Sequence, residues 1–493
     1  MIHLDGTSLT IERAARIIHQ AEPAEPAEYA RERVQRCAEF VDRIVRDGRQ
    51  IYGVNTGFGK LSSRAIPLEQ LQQLQTNLIH SHACGVGDPL PSDIARSALL
   101  FRINTLLKGH SGVRPIVIDR LIAMLNAHIV PLIPRQGSMG SSGDLAPLAH
   151  LALLLMGEGK AVHQGRPLTG TDLLNVLGLE PLELAPKEGL ALINGTQVSL
   201  ATAFTAYQMA RGLWGQAVRL GSMALEAAGG HTDPFDARLH ADHVGQRRVV
   251  ERLTRHIEGS RLVDSSSDVQ DPYSLRCLPQ ILGACWESLQ HVASVLEREM
   301  NAVTDNPLLF PDTGDVCSGG NFHGASLALA SESLGVAIAE LGSASERRTS
   351  LLLNHVDFPS FLAHQPGLQS GLMIAQYTAA SLAAENKVLA HPAAVDSIPT
   401  SGGKEDHNSL ASVASWKAYQ MARNAEWMLA IELLTVVQAL DFRDRTAMSP
   451  MTGRIYDAVR ERIAPSNDDH PVHEDVETAR SMIREGALLH GDD

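Results

Sequence analysis

SLASVASWKAYQMARNAEWMLAIELLTVVQAL, residues 409–440, contains neither glycine nor proline, and none occurs anywhere from Lys404 to Ser449. Alanine, leucine, methionine and glutamate, which lose little freedom in a helix, dominate it, so the stretch predicts one helix of many turns. A second such segment lies upstream. From 278 to 301, Leu282, Trp286, Leu289, Ala293, Leu296 and Met300 recur at steps of three and four, forming one apolar stripe. Residues 188–229, 322–349 and 370–391 also read as long helices. With aromatics at only 4%, β-structure has few of its preferred residues, and the expectation is an all-α protein built on a long central helix bundle.

Composition narrows the function. The 493 residues are 44% hydrophobic and 20% charged, enough apolar side chain for a large core. The formal net charge is −14, which repels phosphate backbones and anionic lipid, so neither nucleic acid nor a membrane surface is expected as a partner. Cys37, Cys84, Cys277, Cys285 and Cys317 are odd in number and widely spaced. They suggest neither a disulfide framework nor a zinc site, and no metal is expected. The N-terminal MIHLDGTSLTIERAARII lacks the apolar stretch of a signal peptide, and no run reaches the ~18 uninterrupted apolar residues of a membrane span. Together these features predict a cytoplasmic enzyme or assembly protein. AEPAEPAEYA (21–30) reads as a stiff link or cap before a helix.

The first third has shorter helices parted by glycine-bearing turns, and chemistry is expected there. GSMGSSGDLA (137–146) is the densest of these turns. By itself it can be a turn into a helix starting near Leu145, with Ser142 or Asp144 as N-cap. It also has a second use. Bent tightly, the Gly143 amide nitrogen can attack the Ser141 carbonyl carbon; loss of water there and from the Ser142 side chain leaves a five-membered ring with an exocyclic methylidene. Glycine suits the attacking position because a Cβ would obstruct the approach.

GSMGSSGDLAPLAH resembles the GSVGASGDLAPLAH signature of the aromatic amino acid ammonia-lyases, whose Ala-Ser-Gly cyclises to 4-methylidene-imidazol-5-one (MIO). The resemblance continues in YGVNTGFGKL (52–61), NLIHSHACGVG (77–87), GLALINGTQ (189–197), QDPYSLRC (270–277), TDNPLLF (304–310), SGGNFHG (318–324), IAELGSASERR (338–348) and KEDHNS (404–409), in the family's order across nearly the whole chain. Ser81-His82 and Glu405 are similar to the histidine ammonia-lyase pattern, where tyrosine and phenylalanine lyases typically have His-Leu or Phe-Leu and a glutamine.

The resemblance implies MIO formed from Ser141, Ser142 and Gly143, with Tyr52 as the base for the β-proton and Tyr273 acting at the reacting centre. It implies Asn194 and Gln270 as orienting groups, Arg276 on the substrate carboxylate, Phe322 packed beside the ring, and His82 and Glu405 reading the substrate side chain. The free phenol of Tyr52 loses its proton near pH ~10, so the site is expected to lower that value. The implied reaction turns L-histidine into urocanate and ammonia; the alternative is an MIO-dependent lyase or 2,3-aminomutase acting on another amino acid such as tyrosine or phenylalanine.

The implied architecture is fumarase/aspartase-like, with an N-terminal ring-bearing region at 1–200, a bundle and C-terminal helices at 201–493, and a homotetramer with shared active sites. The chain lacks the GSSxMPxKxNP pattern of fumarases and aspartases themselves. Three departures from the family pattern stand out: Ser141 for alanine, Gly402-Gly403-Lys404 for Ala-Asn-Gln, and His323-Gly324-Ala325 for His-Ala-Glu. DDHPVHED (468–475) reads as a solvated acidic turn.

Overall fold

Long apolar-striped segments without breakers fold as the helices they predict. In a computed structural model, which describes residues 1–57, 59 and 64–489, the helices Leu278–Met300, Ala325–Leu353, Met373–Leu389 and Ala411–Leu440 match the expected segments. The described strands are two to four residues long and form four small sheets, so the protein is all-α. Phe58, Lys60 and Leu61 of YGVNTGFGKL lie outside the described residues.

Two sequence expectations change. The segment 188–229 is not one helix: it forms Glu188–Ile193 and Gln197–Ala228, parted at Asn194–Thr196. Gly195 causes the break. Its φ is +153°, and a Cβ there would lie 2.3 Å from Gln197 Oε1, so no other residue fits without displacement. The Ala-Glu-Pro repeat is more than a link, because Ala24–Pro26 pairs in parallel with Ile2–Leu4 before the helix Glu28–Arg46 begins.

The chain divides into two compact units. The first comprises 1–205, 293–332 and 392–416; the second comprises 206–292, 333–391 and the residues from 417 onward. In the first unit the helix Ser92–Leu106 is buried without interruption from Ile94 to its end. Phe101 meets Phe204 edge-to-face, with ring centroids 5.5 Å apart. The helix Leu145–Leu155 is apolar on nearly every side, holds Pro147 harmlessly in its first turn, and packs against Leu71–His82 and Glu188–Ile193. All three helices end at the same place: one delivers His82, one begins after Asp144, and one stops at Asn194.

In the second unit Arg348 and Glu432, both fully buried, pair through two hydrogen bonds, Nε to Oε1 and Nη2 to Oε2. Helix Ala325–Leu353 is long and apolar enough to cross a membrane by length and composition. Its buried Arg348 pair and the packing of just over half of its most apolar stretch are features of a core helix.

Candidate active site

The loop before Leu145 owes its shape to left-handed backbone. Ser142 has φ +59° and Gly143 φ +78°; the first is uncommon for a residue with a Cβ and must be held by its surroundings. A Cβ on Gly143 would lie 2.2 Å from the Gly195 nitrogen, so residues 141–143 are pressed against the break between the two helices. The Asp144 amide donates to the Gly195 carbonyl at 2.6 Å. Asp144 does stand at the N-cap position, but its side chain caps nothing. Instead Oδ1 accepts from the hydroxyls of Ser138 and Ser199, and Oδ2 from the Ser199 amide. Burial raises the Asp144 carboxyl above its usual range, and those donors oppose it.

Asn194 is anchored from both ends. Its Nδ2 donates to Asp305 Oδ1 at 3.1 Å and to the Asn306 carbonyl at 3.2 Å, while its own carbonyl accepts from Arg102 Nη1 at 2.8 Å. Asp305 in turn receives Lys187 Nζ at 2.7 Å, both side chains being fully buried. Burial pulls the Arg102 guanidinium down to about 10, opposed by the charges of Asp305 and Asp144.

Facing this base is a cavity of about 740 Å³ whose lining includes Tyr52, His82, Ser142, Asn194, Phe322 and Glu405, a size suited to a small-molecule site. Its described fixed charges are Arg64 and Glu405. The Ser142 hydroxyl donates to Glu405 Oε1, and Thr400 Oγ1 donates to Oε2 at 2.7 Å. His82 Nδ1 lies 2.8 Å from the Leu78 carbonyl; a carbonyl only accepts, so Nδ1 carries the proton and neutral His82 keeps a lone pair on Nε2. Burial lowers its proton affinity, with the Leu78 bond and the Glu405 charge working the other way.

The Tyr52 hydroxyl accepts from the Gly59 amide at 3.3 Å. Its pKa is not lowered in this chain, contrary to the sequence expectation. Burial is the largest cause and raises it, the charges of Glu405 and Asp305 raise it further, and the Gly59 hydrogen bond opposes them.

The first unit thus brings Tyr52, His82, Ser141, Ser142, Gly143, Asn194, Phe322 and Glu405 together. Gln270, Tyr273 and Arg276 belong to the second unit and are not among the lining residues. Arg276 lies over the ring of Tyr273, 4.6 Å from its centroid. Sequence reasoning missed Arg102, Asp305, Thr400, Gly195 and Asn408. Gly195, Asp305 and Asn408 lie inside quoted motifs, but their roles depend on contacts made far along the chain.

The similarity to known proteins covers nearly the whole chain. A family model described as aromatic amino acid lyase matches residues 9–461. The chain belongs to the aromatic amino acid lyase family. Among its relatives in the family, the histidine ammonia-lyase of Geobacillus thermodenitrificans is 47% identical, over 99% of this chain and 98% of its own. The solved histidine ammonia-lyase of Trypanosoma cruzi superposes with TM-score 0.92 at 38% identity, over 99% of this chain and 94% of that one. Tyrosine aminomutase of Streptomyces globisporus gives 0.94 at 34% identity, over 99% and 97%. A second cavity, about 590 Å³ and lined by residues that include Ile374, Trp427 and Val476, holds none of the proposed site residues; Asp469, His470, Val472 and His473 of DDHPVHED line it.

Proposed function

We propose that this chain is an ammonia-lyase that converts L-histidine to trans-urocanate, using an MIO group formed from its own Ser141, Ser142 and Gly143. The observation that carries the reading is the left-handed Ser142-Gly143 turn pressed on Gly195, with the Ser142 hydroxyl held on Glu405. The cradle fits a ring closure, because it leaves no room for a Cβ on the attacking residue and holds the hydroxyl that must leave. Once formed, the ring supplies an electrophile that makes the substrate amine a better leaving group.

The chain's own residues do the rest. Glu405 and the Nε2 lone pair of His82 face the cavity and suit an imidazole side chain, which can donate to either one. Tyr52 takes the β-proton, and Asn194 orients the reacting groups from its fixed position over Asp305. Gln270, Tyr273 and Arg276 complete the site from another copy of the chain, with Arg276 on the carboxylate and supplying the positive charge that lowers the Tyr52 phenol. Such sharing requires an oligomer, and the assembly proposed is a homotetramer in the cytoplasm. The five cysteines, all unpaired, support a reducing compartment.

Purified protein offered L-histidine, L-tyrosine and L-phenylalanine, with the conjugated acid followed optically, tests the substrate. Urocanate from histidine alone is expected. Formation of a β-amino acid from tyrosine or phenylalanine instead identifies an aminomutase and overturns the histidine reading.

A further inference from the structure

Ser141, where the family usually has alanine, has a hydroxyl that ring closure does not consume. In the chain as folded, two bonds between side chains join the loop 140–143 to the segment 397–409, Ser142 Oγ to Glu405 Oε1 and Ser141 Oγ to Asn408 Oδ1, and the Ser409 hydroxyl also donates to the Gly140 carbonyl at 3.1 Å. Closing the ring expels the Ser142 hydroxyl as water and the first link is lost with it. The Ser141 Cα remains as the ring's substituent with its CH₂OH intact, so the second link survives.

That link ends at the centre of the segment. Asn408 is fully buried; its Nδ2 donates to the Ile398 carbonyl, to Thr400 Oγ1 at 3.2 Å and to the Glu405 carbonyl at 3.4 Å, and its amide donates to Ser397 Oγ at 2.7 Å. Thr400 closes the other side, donating from its amide to the Glu405 carbonyl at 2.9 Å and from its hydroxyl to Glu405 Oε2. The Ser409 amide reaches back to Ser141 Oγ at 3.3 Å. The Glu405 carboxylate is therefore held by a small hydrogen-bonded turn, tied to the mature loop at its end by Ser409 on the Gly140 carbonyl and at Asn408, the residue that bonds Thr400 and the Glu405 backbone, by Ser141.

We infer that Ser141 is a positioning residue for substrate selection: its hydroxyl, acting through Asn408, fixes the Glu405 carboxylate at a set distance from the ring, so that substrate side chain and amine are presented together. This rests on the MIO reading above. Ser141→Ala removes the donor and leaves Asn408 Oδ1 buried without it, the loss of one buried hydrogen bond, while the backbone atoms that close the ring are untouched.

Four variants test the inference: Ser141→Ala, Ser141→Cys, Glu405→Gln and the double variant of Ser141→Ala with Glu405→Gln, each measured by intact-chain mass, near-ultraviolet absorbance and steady-state kinetics with L-histidine. Ser141→Ala is expected to lose two waters on maturation as fully as the unaltered chain, to raise KM roughly 5- to 20-fold, and to change kcat much less. In the Glu405→Gln background, adding Ser141→Ala should leave KM unmoved, because the group being positioned is gone. Ser141→Cys, which keeps a weak donor, should recover part of the affinity. An unchanged KM in Ser141→Ala, a KM effect that persists in full without Glu405, or activity that falls only in proportion to lost ring would each overturn the proposal. If the unaltered chain shows no loss of water, the MIO reading itself fails, and the inference with it.

Discussion

The loop 138–144 and the segment 270–276 both carry family motifs, yet they are built in opposite ways. Around the loop the side chains of the motif are bonded from within one unit: Asp144 collects three donors, Asn194 sits on Asp305, and Ser141 and Ser142 are bonded to Asn408 and Glu405, while Arg102 behind Asn194 keeps Nε and Nη2 buried and unbonded. In the segment 270–276, Tyr273 is 68% exposed, and Arg276 rests on that same ring with its Nε buried and unbonded. A buried donor without an acceptor costs ~1–3 kcal/mol. Under the proposed function the difference teaches where one chain stops: it completes the electrophile half of the proposed site and leaves the proposed carboxylate half for another subunit to use.

The sharpest way to break this comparison is at the loop. Ser142→Ala and Gly143→Ala are each expected to lower turnover on the order of 10⁴-fold or more, the scale seen when a covalent catalytic group is removed. For Gly143→Ala the cause is steric, since the new Cβ falls on the Gly195 nitrogen. Intact-chain mass should show that neither variant loses its two waters. A fully active Ser142→Ala protein would sink the prosthetic-group reading.

The open segment is tested by mixing. Tyr52→Phe and Arg276→Gln are each expected to cost roughly 10²- to 10⁴-fold, but co-assembled from the two chains they should recover a fraction of wild-type turnover, because some sites then draw Tyr52 and Arg276 from two different copies, each carrying one intact half. Mixed oligomers as inactive as either parent would show that all groups of a site come from one chain.

Stability separates the regions next. Lys187→Met strands Asp305 in the interior beneath Asn194 and is expected to cost ~3–5 kcal/mol in a urea titration. Tyr273→Ala, which removes the ring under Arg276 but strands no buried charge, should cost no more than ~1 kcal/mol. Comparable losses from the two would erase the contrast between a built half and an open one.

The same contrast explains what could be read from the sequence. Helices such as Leu278–Met300 and Ala411–Leu440 were legible because their stripe, or their freedom from breakers, is local information. The site residues His82, Asn194 and Glu405 were legible only as members of a motif; nothing local distinguishes His82 from a core histidine. The break at Gly195 hid in a helical pattern, because INGT departs from it at a single glycine whose φ is set by tertiary packing. Arg102 and Asn408 could not be found, since their partners lie 92 and 267 residues away. The direction of the Tyr52 pKa was also out of reach. It depends on how deeply one phenol is buried and on which carboxylates come near it.

That phenol gives the subtlest test. As the proposed base Tyr52 must lose its proton, and burial together with the Glu405 and Asp305 charges holds the proton on. Activity should therefore rise with pH. Replacing Glu405 by glutamine removes one of the two negative charges, so the phenolate becomes easier to form and the rising limb of kcat/KM should move to lower pH, by roughly half a pH unit to one. His82 responds in the same sense: burial already lowers its proton affinity and Glu405 opposes that, so the variant's imidazole loses its proton at lower pH too. Whichever group sets the limb, the shift is toward acid. A limb that stays in place or moves toward alkali would mean that the groups facing Tyr52 in the working enzyme are dominated by another subunit's charge, and the open half would then govern the base that the built half carries.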